Sequence, residues 1–390
     1  MDITYRIDKN IMYVDLKGRI DATNASIVEE KTFKIIQENP NQHIVIDAEN
    51  LEYISSAGLR IILKIRKIQP KLAIINVSPD VYEVFDMTGF TDMVTIEKAY
   101  QKISVDGCEF IAKGANGAVY RYNDETIVKT YFAKDALPEI KQERENARRA
   151  FVLGINTAIP YGIVRVGDSY GTITELLSAV SVTKLIRNNP NDLSEPLKYY
   201  IDMLKSIHAI SVEDGLVPNM KETVLSWVEF ITPHISQNHA EKLKRLVEEV
   251  PKQNTLMHGD YHTNNIMVQN GEPLLIDMDT LCMGHPIFEL GSMFNAFVGY
   301  SELNHENMIK FFGYDFETAG RFWKESLKLY LGSDDEDYCQ SVNEKAMIIG
   351  YTRMLRRSIR RPNEPESPSV IARCKEMLKV LIEKTDSLLF

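Results

Sequence analysis

A chain of 390 residues, 44% hydrophobic and 26% charged, has material for more than one core and too much apolar content for disorder. Its formal net charge of −10 argues against a general nucleic-acid binder, because polyanion affinity comes from Lys and Arg neutralising phosphates. No stretch approaches the roughly 18 continuous apolar residues of a membrane span, and Asp2, Arg6, Asp8 and Lys9 interrupt the N-terminus where a secretion signal would need an apolar run. The cysteines, Cys108, Cys282, Cys339 and Cys374, form no CxxC pair, so neither a zinc site nor a disulfide framework is expected, and a reduced cytoplasmic setting is.

The first hundred residues alternate strand and helix patterns, which predicts a compact α/β unit. Ile3, Tyr5 and Ile7, then Met12, Val14 and Leu16, alternate with polar neighbours across Asp8-Lys9-Asn10, as a hairpin would. A helix is predicted from about Thr23 to Glu38, stopped by Asn39-Pro40, then a buried strand over His43 to Ile46. A second helix is predicted over Ser56 to Ile68 and another strand over Leu72 to Val77. Ser55 and Ser56 stand at the start of that second helix, where a serine caps backbone N–H groups. A phosphate there would meet those same N–H groups and the positive helix end. Capping and modification both remain open for this pair.

Tyr100 to Gly107 reads as a linker, after which the pattern changes. Three strand candidates, Glu109 to Ala112, Ala118 to Tyr122 and Thr126 to Phe132, are separated by turn residues. A charged helix from about Pro138 to Leu153 and two strands, Tyr161 to Val166 and Tyr170 to Leu176, come next. The remainder is mainly helical, broken around residues 255 to 282 by short apolar strands flanking loops. No internal repeat or low-complexity segment is visible.

The most informative stretch is His258-Gly259-Asp260-Tyr261-His262-Thr263-Asn264-Asn265, followed by Ile276-Asp277-Met278-Asp279. It has the D-x-x-x-x-N spacing of kinase catalytic loops and then a strand-flanked Asp. Phosphoryl transfer demands little covalent chemistry but much charge management. Asp260 would accept or orient the proton of an acceptor hydroxyl, while Asn265 and Asp277 would hold Mg²⁺ ions bridging the phosphates of ATP. Upstream, Gly114-Ala115-Asn116-Gly117 forms a glycine-rich turn between strands, with Gly114, Asn116 and Gly117 placed to bring backbone N–H groups to phosphate. Lys129, a lone cation in Thr126-Ile127-Val128-Lys129-Thr130-Tyr131, would neutralise phosphate charge. Its carboxylate partner is expected on the following helix, at Glu143 rather than Glu145.

These motifs resemble the aminoglycoside and choline kinase-like phosphotransferases, relatives of the protein kinases. The specific part is H-G-D-x-H-x-x-N with the later I-D-x-D, and the likeness covers roughly residues 108 to 390. It implies an α+β bilobal protein-kinase-like fold, with one lobe at about 108–176 and a helical lobe at about 177–390. The likeness further implies a hinge at Thr174 to Leu177, where Glu175 and Leu177 would meet adenine. His285 to Gly291 is similar to the family's next element, with Glu289 where an Asp is usual. The first hundred residues resemble a STAS domain of the anti-sigma factor antagonist type, through Leu16-Lys17-Gly18-Arg19-Ile20-Asp21, Ser55-Ser56-Ala57-Gly58-Leu59 and Phe85-Asp86-Met87-Thr88-Gly89-Phe90. In that family a serine after an Asp is phosphorylated. Ser56 occupies the serine's place, but Ser55 replaces the Asp.

The leading expectation is an ATP- and Mg²⁺-dependent phosphotransferase acting on a hydroxyl of a small molecule, coupled to a STAS module that engages a protein partner. No nucleic-acid or membrane partner is expected. The alternative is a phosphorylation-controlled interaction protein whose kinase-like part senses nucleotide or phosphorylates protein. Two features stay outside this scheme. Arg353, Arg356, Arg357, Arg360 and Arg361 either bind an anion or form a solvated helix end. His208, in an apolar run, is assigned no role.

Overall fold

Alternating apolar residues at Met12, Val14 and Leu16, all fully or nearly fully buried, mark the core-facing side of the second strand, which is an interior strand of the first sheet. The computed structural model describes residues 1–114, 116–134 and 136–390. They divide into two compact units, Met1–Ile103 and Ser104–Phe390. In the first, β1 (Asp2–Asp8), β2 (Ile11–Ile20), α1 (Ala25–Glu38), β3 (His43–Ile54), α2 (Ser56–Ile68), β4 (Ala73–Val77), α3 (Pro79–Met87) and β5 (Thr95–Lys98) follow one another. The sheet runs in that strand order, β1 antiparallel to β2 and the others parallel.

Two differences from the sequence reading have physical causes. The strand expected over His43 to Ile46 continues to Ile54, because register shifts opposite Asp15 and Gly18 let β3 keep pairing while Glu49 and Asn50 face outward. The stretch read as a linker contains a short strand, β6 (Gln101–Ile103). At the start of α2, Ser55 is the cap: its backbone is extended and its hydroxyl accepts from the Gly58 N–H at 3.4 Å. Ser56 is left as the first helical residue, exposed.

The second unit opens with β7 (Glu109–Lys113), β8 (Gly117–Arg121), β9 (Thr126–Tyr131), α4 (Leu137–Val152), β10 (Pro160–Val166) and β11 (Ser169–Glu175). The strands pair antiparallel in the order β10-β11-β9-β8-β7. Gly117 is required by close approach, since a Cβ there would overlap the Thr130 carbonyl on β9. Ala115 of the same turn lies outside the described residues.

The rest is helical: β12 (Val180–Ser181), α5 (Val182–Asn188), α6 (Ser194–His208), α7 (Met220–Ile231) and α8 (Gln237–Glu248) precede four short strands. These are β13 (Leu256–Met257), β14 (Ile266–Gln269), β15 (Glu272–Leu275) and β16 (Cys282–Met283). Then come α9 (Ile287–Phe294), α10 (Glu306–Phe312), α11 (Phe316–Leu331), α12 (Glu336–Arg360) and α13 (Ser367–Lys384). Asn270 and Gly271 both take positive φ, 53° and 81°, which closes β14 and β15 into a tight hairpin. That hairpin brings Ile266 opposite Leu275, so the residues just before β14 and just after β15 become neighbours. Among the described residues no helix is long and apolar enough to cross a membrane.

Candidate active site

Asp260 sits on a loop anchored from three sides. Gly259 before it has φ of 81°, a left-handed conformation that favours glycine. Glu289, buried on α9, accepts the N–H groups of His258 at 2.7 Å and Gly259 at 3.0 Å. The longer side chain, where the family resemblance led one to expect Asp, thus carries both backbone donors of the loop. Tyr261, after Asp260, is fully buried and exchanges hydrogen bonds with Tyr200 on α6: each hydroxyl donates to the other's carbonyl, at 2.6 and 3.2 Å. His258 accepts from the Asp260 N–H through Nδ1 at 3.3 Å, so its Nε2, 3.1 Å from the Ile276 carbonyl, is the donor that ties this loop to the strand leading into Asp277.

The Asp260 carboxylate is flanked by cationic or polarisable groups, His262 Nε2 at 3.6 Å and Arg353 Nη2 at 3.7 Å. Burial alone would push its pKa up, but the hydrogen bond and charge of His262, followed by Arg353, hold the carboxyl down at about 2. It is therefore an anion across the physiological range. Asn265 donates its Nδ2 to the Asp260 carbonyl at 3.1 Å, so that its Oδ1 is the end left to meet a cation. The Ile276 N–H donates to the Asn265 carbonyl at 3.0 Å, which holds Asp277 beside this loop.

On β9, Lys129 lies 2.7 Å from Glu143 and 3.9 Å from Asp277. Glu143 is the partner because helix rotation turns Glu145 away, onto Arg148 at 2.9 Å and Arg149 at 3.3 Å. The carboxylates around Lys129 raise its pKa against the opposing effect of burial, so it is a permanent cation. Tyr131 donates its hydroxyl to the other Glu143 oxygen at 2.7 Å. Sequence reasoning missed Tyr131; its place two residues from Lys129, on the same face of the strand, was the available signal. Asp277 occupies the left-handed region, with φ 63° and ψ 65°, a strained backbone for a residue with a side chain. Next to it, burial and then the charges of Asp277 and Glu143 raise the Asp279 carboxyl to about 6.

Asn265 and Asp277 offer hard oxygen ligands, and the Asp277 side chain is 47% exposed. Among the described residues no three His, Cys, Asp or Glu side chains form a dedicated metal cage. That donor set suits Mg²⁺, which takes one or two protein oxygens and completes its shell with water and phosphate.

Of the other residues singled out from sequence, Gly114 closes the β7–β8 turn by donating to the Gly117 carbonyl at 2.9 Å, and the Asn116 carbonyl accepts from Phe132 at 3.0 Å. Glu175 at the end of β11 is tied to Ile159 through its N–H at 3.0 Å and its carboxylate at 3.2 Å, and the Leu176 N–H is taken by the Glu125 carbonyl. Leu177 follows, partly buried. His208 hydrogen-bonds Tyr330 at 2.8 Å through Nδ1 and lies 3.9 Å from Glu289 through Nε2, behind the carboxylate that holds the Asp260 loop.

A cavity of about 770 Å³ opens beside Asp260 and His262, walled by Trp227 on α7, Phe311 on α10 and the arginines of α12. Gly291 of α9 abuts Ile349, and Gly350 of α12 abuts Phe294, so the two helices cross closely. The crossing brings Arg353 to the Gly259 carbonyl at 3.1 Å and to Ser292 at 2.8 Å. The reading of the arginine cluster as a solvated helix end holds only for the exposed Arg360 and Arg361.

Comparison with known proteins gives two family matches. The sequence model of the phosphotransferase enzyme family matches residues 107–315. That of the STAS domain matches residues 2–103. The Bordetella bronchiseptica protein BtrV, provisionally assigned as an anti-sigma factor antagonist, is 32% identical over 85 residues, 21% of this chain and 72% of that protein. The anti-sigma F factor antagonist of Paenibacillus polymyxa is 29% identical over 92 residues, 23% of this chain and 79% of that protein. Among solved structures, a thermostable aminoglycoside phosphotransferase in ternary complex with AMP-PNP and hygromycin B aligns with 13% identity and a TM-score of 0.49, covering 72% of this chain and 94% of its own. An ADP-bound aminoglycoside phosphotransferase aligns with 17% identity and a TM-score of 0.48, over 72% of this chain and 94% of its own.

Proposed function

The chain belongs to the phosphotransferase enzyme family, with a STAS domain ahead of the phosphotransferase unit, and from that premise we propose that it moves the γ-phosphoryl group of ATP to a hydroxyl of a small molecule held beside Asp260. The observation that carries this reading is the cluster of Lys129 with Glu143 at 2.7 Å and Asp277 at 3.9 Å, joined through Ile276 to the Asp260–Asn265 loop. Lys129, steered by Glu143 and Tyr131, meets the α- and β-phosphates, and the turn that Gly114 closes offers the backbone N–H groups of Asn116 and Gly117 to the same chain of phosphates. Glu175 and Leu177 present backbone groups to adenine. Asn265 and Asp277 would hold magnesium, whose positive charge would offset the negative charge of the phosphates.

Asp260 works as a carboxylate anion. A carboxylate at about 2 is too weak a base to strip a free alcohol in advance. Asp260 instead accepts a hydrogen bond from the acceptor hydroxyl, aligns its oxygen with the γ-phosphorus, and takes the proton late. The new oxygen–phosphorus bond then forms as the bond to the β-phosphate oxygen breaks and ADP leaves. His262 and Arg353 keep the carboxylate ionised and oriented.

The test is γ-labelled ATP with the full chain and a panel of hydroxyl-bearing metabolites. Label in a metabolite, lost by Asp260→Asn, is expected; no transfer from any acceptor by a protein that binds nucleotide would sink the reading. One observation favours a second role for the STAS unit. Ser55 serves as the helix cap and Ser56 stays exposed, so a phosphate on Ser56 would add charge at a helix start without removing the cap. With anti-sigma factor antagonists as relatives, the unit is read as a protein-binding switch set at Ser56. Mass spectrometry of the protein from cells, with Ser56→Ala as control, checks it; a bare Ser56 under all growth conditions would end it.

A further inference from the structure

The cavity beside Asp260 carries charge that phosphoryl transfer from ATP does not use. Three arginines of α12 line it, and their commitments differ. Arg353 is engaged by the Gly259 carbonyl, Ser292 and Asp260. Arg357 lies over the Tyr300 ring at 5.6 Å and 3.3 Å from Glu364. Arg356 rests against the rings of Trp227 and Phe230, at 5.9 and 6.0 Å from their centroids, and among the described residues it has no carboxylate partner. Its N–H donors are held in a fixed fork, half-buried, and unspent.

The acids at the same cavity are, by contrast, already satisfied. Glu364 is shared between Arg357 and Arg361, the latter at 3.1 Å. Glu366 accepts the side-chain amides of Asn304 at 2.8 Å and Asn307 at 3.1 Å. A cationic acceptor would therefore find no open carboxylate except Asp260, which the transfer step needs.

Building on the phosphotransferase reading above, we propose that the acceptor is an anion: a small hydroxyl-bearing molecule whose phosphate or carboxylate group docks on Arg356, with Arg357 beside it, while its hydroxyl reaches Asp260. Guanidinium forks match the paired oxygens of both groups, and partial burial strengthens the attraction. The cavity, about 770 Å³, falls in the size range of small-molecule sites, roughly 300–1,000 Å³. Burial, then the neighbouring charges of Arg360 and Arg353, lower the pKa of Arg356, a strain that a bound anion relieves.

Two measurements on the full chain test this. In the first, matched acceptors that differ only in a neutral, phosphorylated, carboxylated or aminated end are compared for turnover with Mg-ATP. The phosphorylated or carboxylated member should be preferred, and Arg356→Gln should raise its KM by roughly 10–100-fold, the loss expected for a hydrogen bond to a charged group, with little change in kcat. Arg356→Lys should recover part of the loss, and unchanged Mg-ADP affinity reports that each variant is folded. Preference for the neutral or aminated member, or an unaltered KM in Arg356→Gln, overturns the proposal and leaves the kinase reading standing. In the second, inorganic phosphate is titrated by calorimetry into protein saturated with Mg-ADP. Binding that weakens about tenfold or more in Arg356→Gln supports the site, even if no acceptor is turned over and the kinase reading falls. Absent binding, or binding indifferent to Arg356, overturns it.

Discussion

Asp260 shows how neighbours set a residue's chemistry, because a carboxyl held at about 2 by His262 and Arg353 is ionised at every working pH. Asp260→Asn keeps the shape but loses the charge, and kcat should fall by roughly 10²–10⁴-fold with Mg-ATP affinity retained in a binding titration. Tyr131→Phe is a subtler change. It deletes one of the two hydrogen bonds that steer Glu143, and a thermal melt should show a loss of about 0.5–1.5 kcal/mol with a modest drop in turnover. Neither effect was visible from residue type alone. Lys129 was legible as a cation out of place in an apolar strand, whereas Tyr131 looked like any β-former.

At the scale of elements, the loop around Asp260 depends on groups that arrive from other elements. Glu289 of α9 supplies the acceptors for two buried N–H groups, and Glu289→Ala would strand both, at a cost of about 1–3 kcal/mol for each. A lowered melting temperature together with lost activity is the expected outcome. Asp277 tests the opposite combination. Asn tolerates the left-handed backbone that Asp277 occupies, so Asp277→Asn should fold with undiminished stability. Its activity at limiting magnesium should nonetheless fall by more than about 100-fold, given that even outer partners of a metal are worth about 10–100-fold. The Asn270-Gly271 turn that brings Asn265 and Asp277 together could be read in advance as a turn former between two apolar runs. The cap at Ser55 could be read only as one of two serines.

For the whole molecule, the two units have separate hydrophobic cores with no residue in common. Both tryptophans, Trp227 and Trp323, belong to the second, so their fluorescence follows that unit while far-ultraviolet circular dichroism follows both. A side chain at Gly58 would press within 2.6 Å of Ile54 and 2.8 Å of Ile20. Gly58→Val should therefore move an early dichroism transition in denaturant and leave the tryptophan transition in place. The second unit also carries a pH liability in His285. Burial, then the charge of His208, lowers its pKa from 6.5 to about 4, and its Nδ1 accepts the Ile287 N–H at 3.1 Å, which requires the neutral ring. Because the unfolded chain binds the proton first, the stabilisation is complete above pH 6.5 and is lost as pH falls toward 4. The contribution is about 3 kcal/mol. His285→Asn, able to accept the same N–H, should flatten that acid limb of the tryptophan transition.

The element order, the family signatures, and Lys129, Asp260, Asn265 and Asp277 as candidates for one site were all legible in the chain before it was folded. Those follow from periodicity, turn chemistry and short spacings, which are local properties of a chain. Glu143 was already preferred to Glu145 as the partner of Lys129, whereas the choice between Ser55 and Ser56 as the cap, and the sorting of the arginines of α12, came from the packed molecule. The cap turns on the extended backbone that Ser55 takes where β3 ends, and the arginines on the rotation of α12 against a loop 94 residues earlier in the chain, set by the close contacts of Gly291 and Gly350.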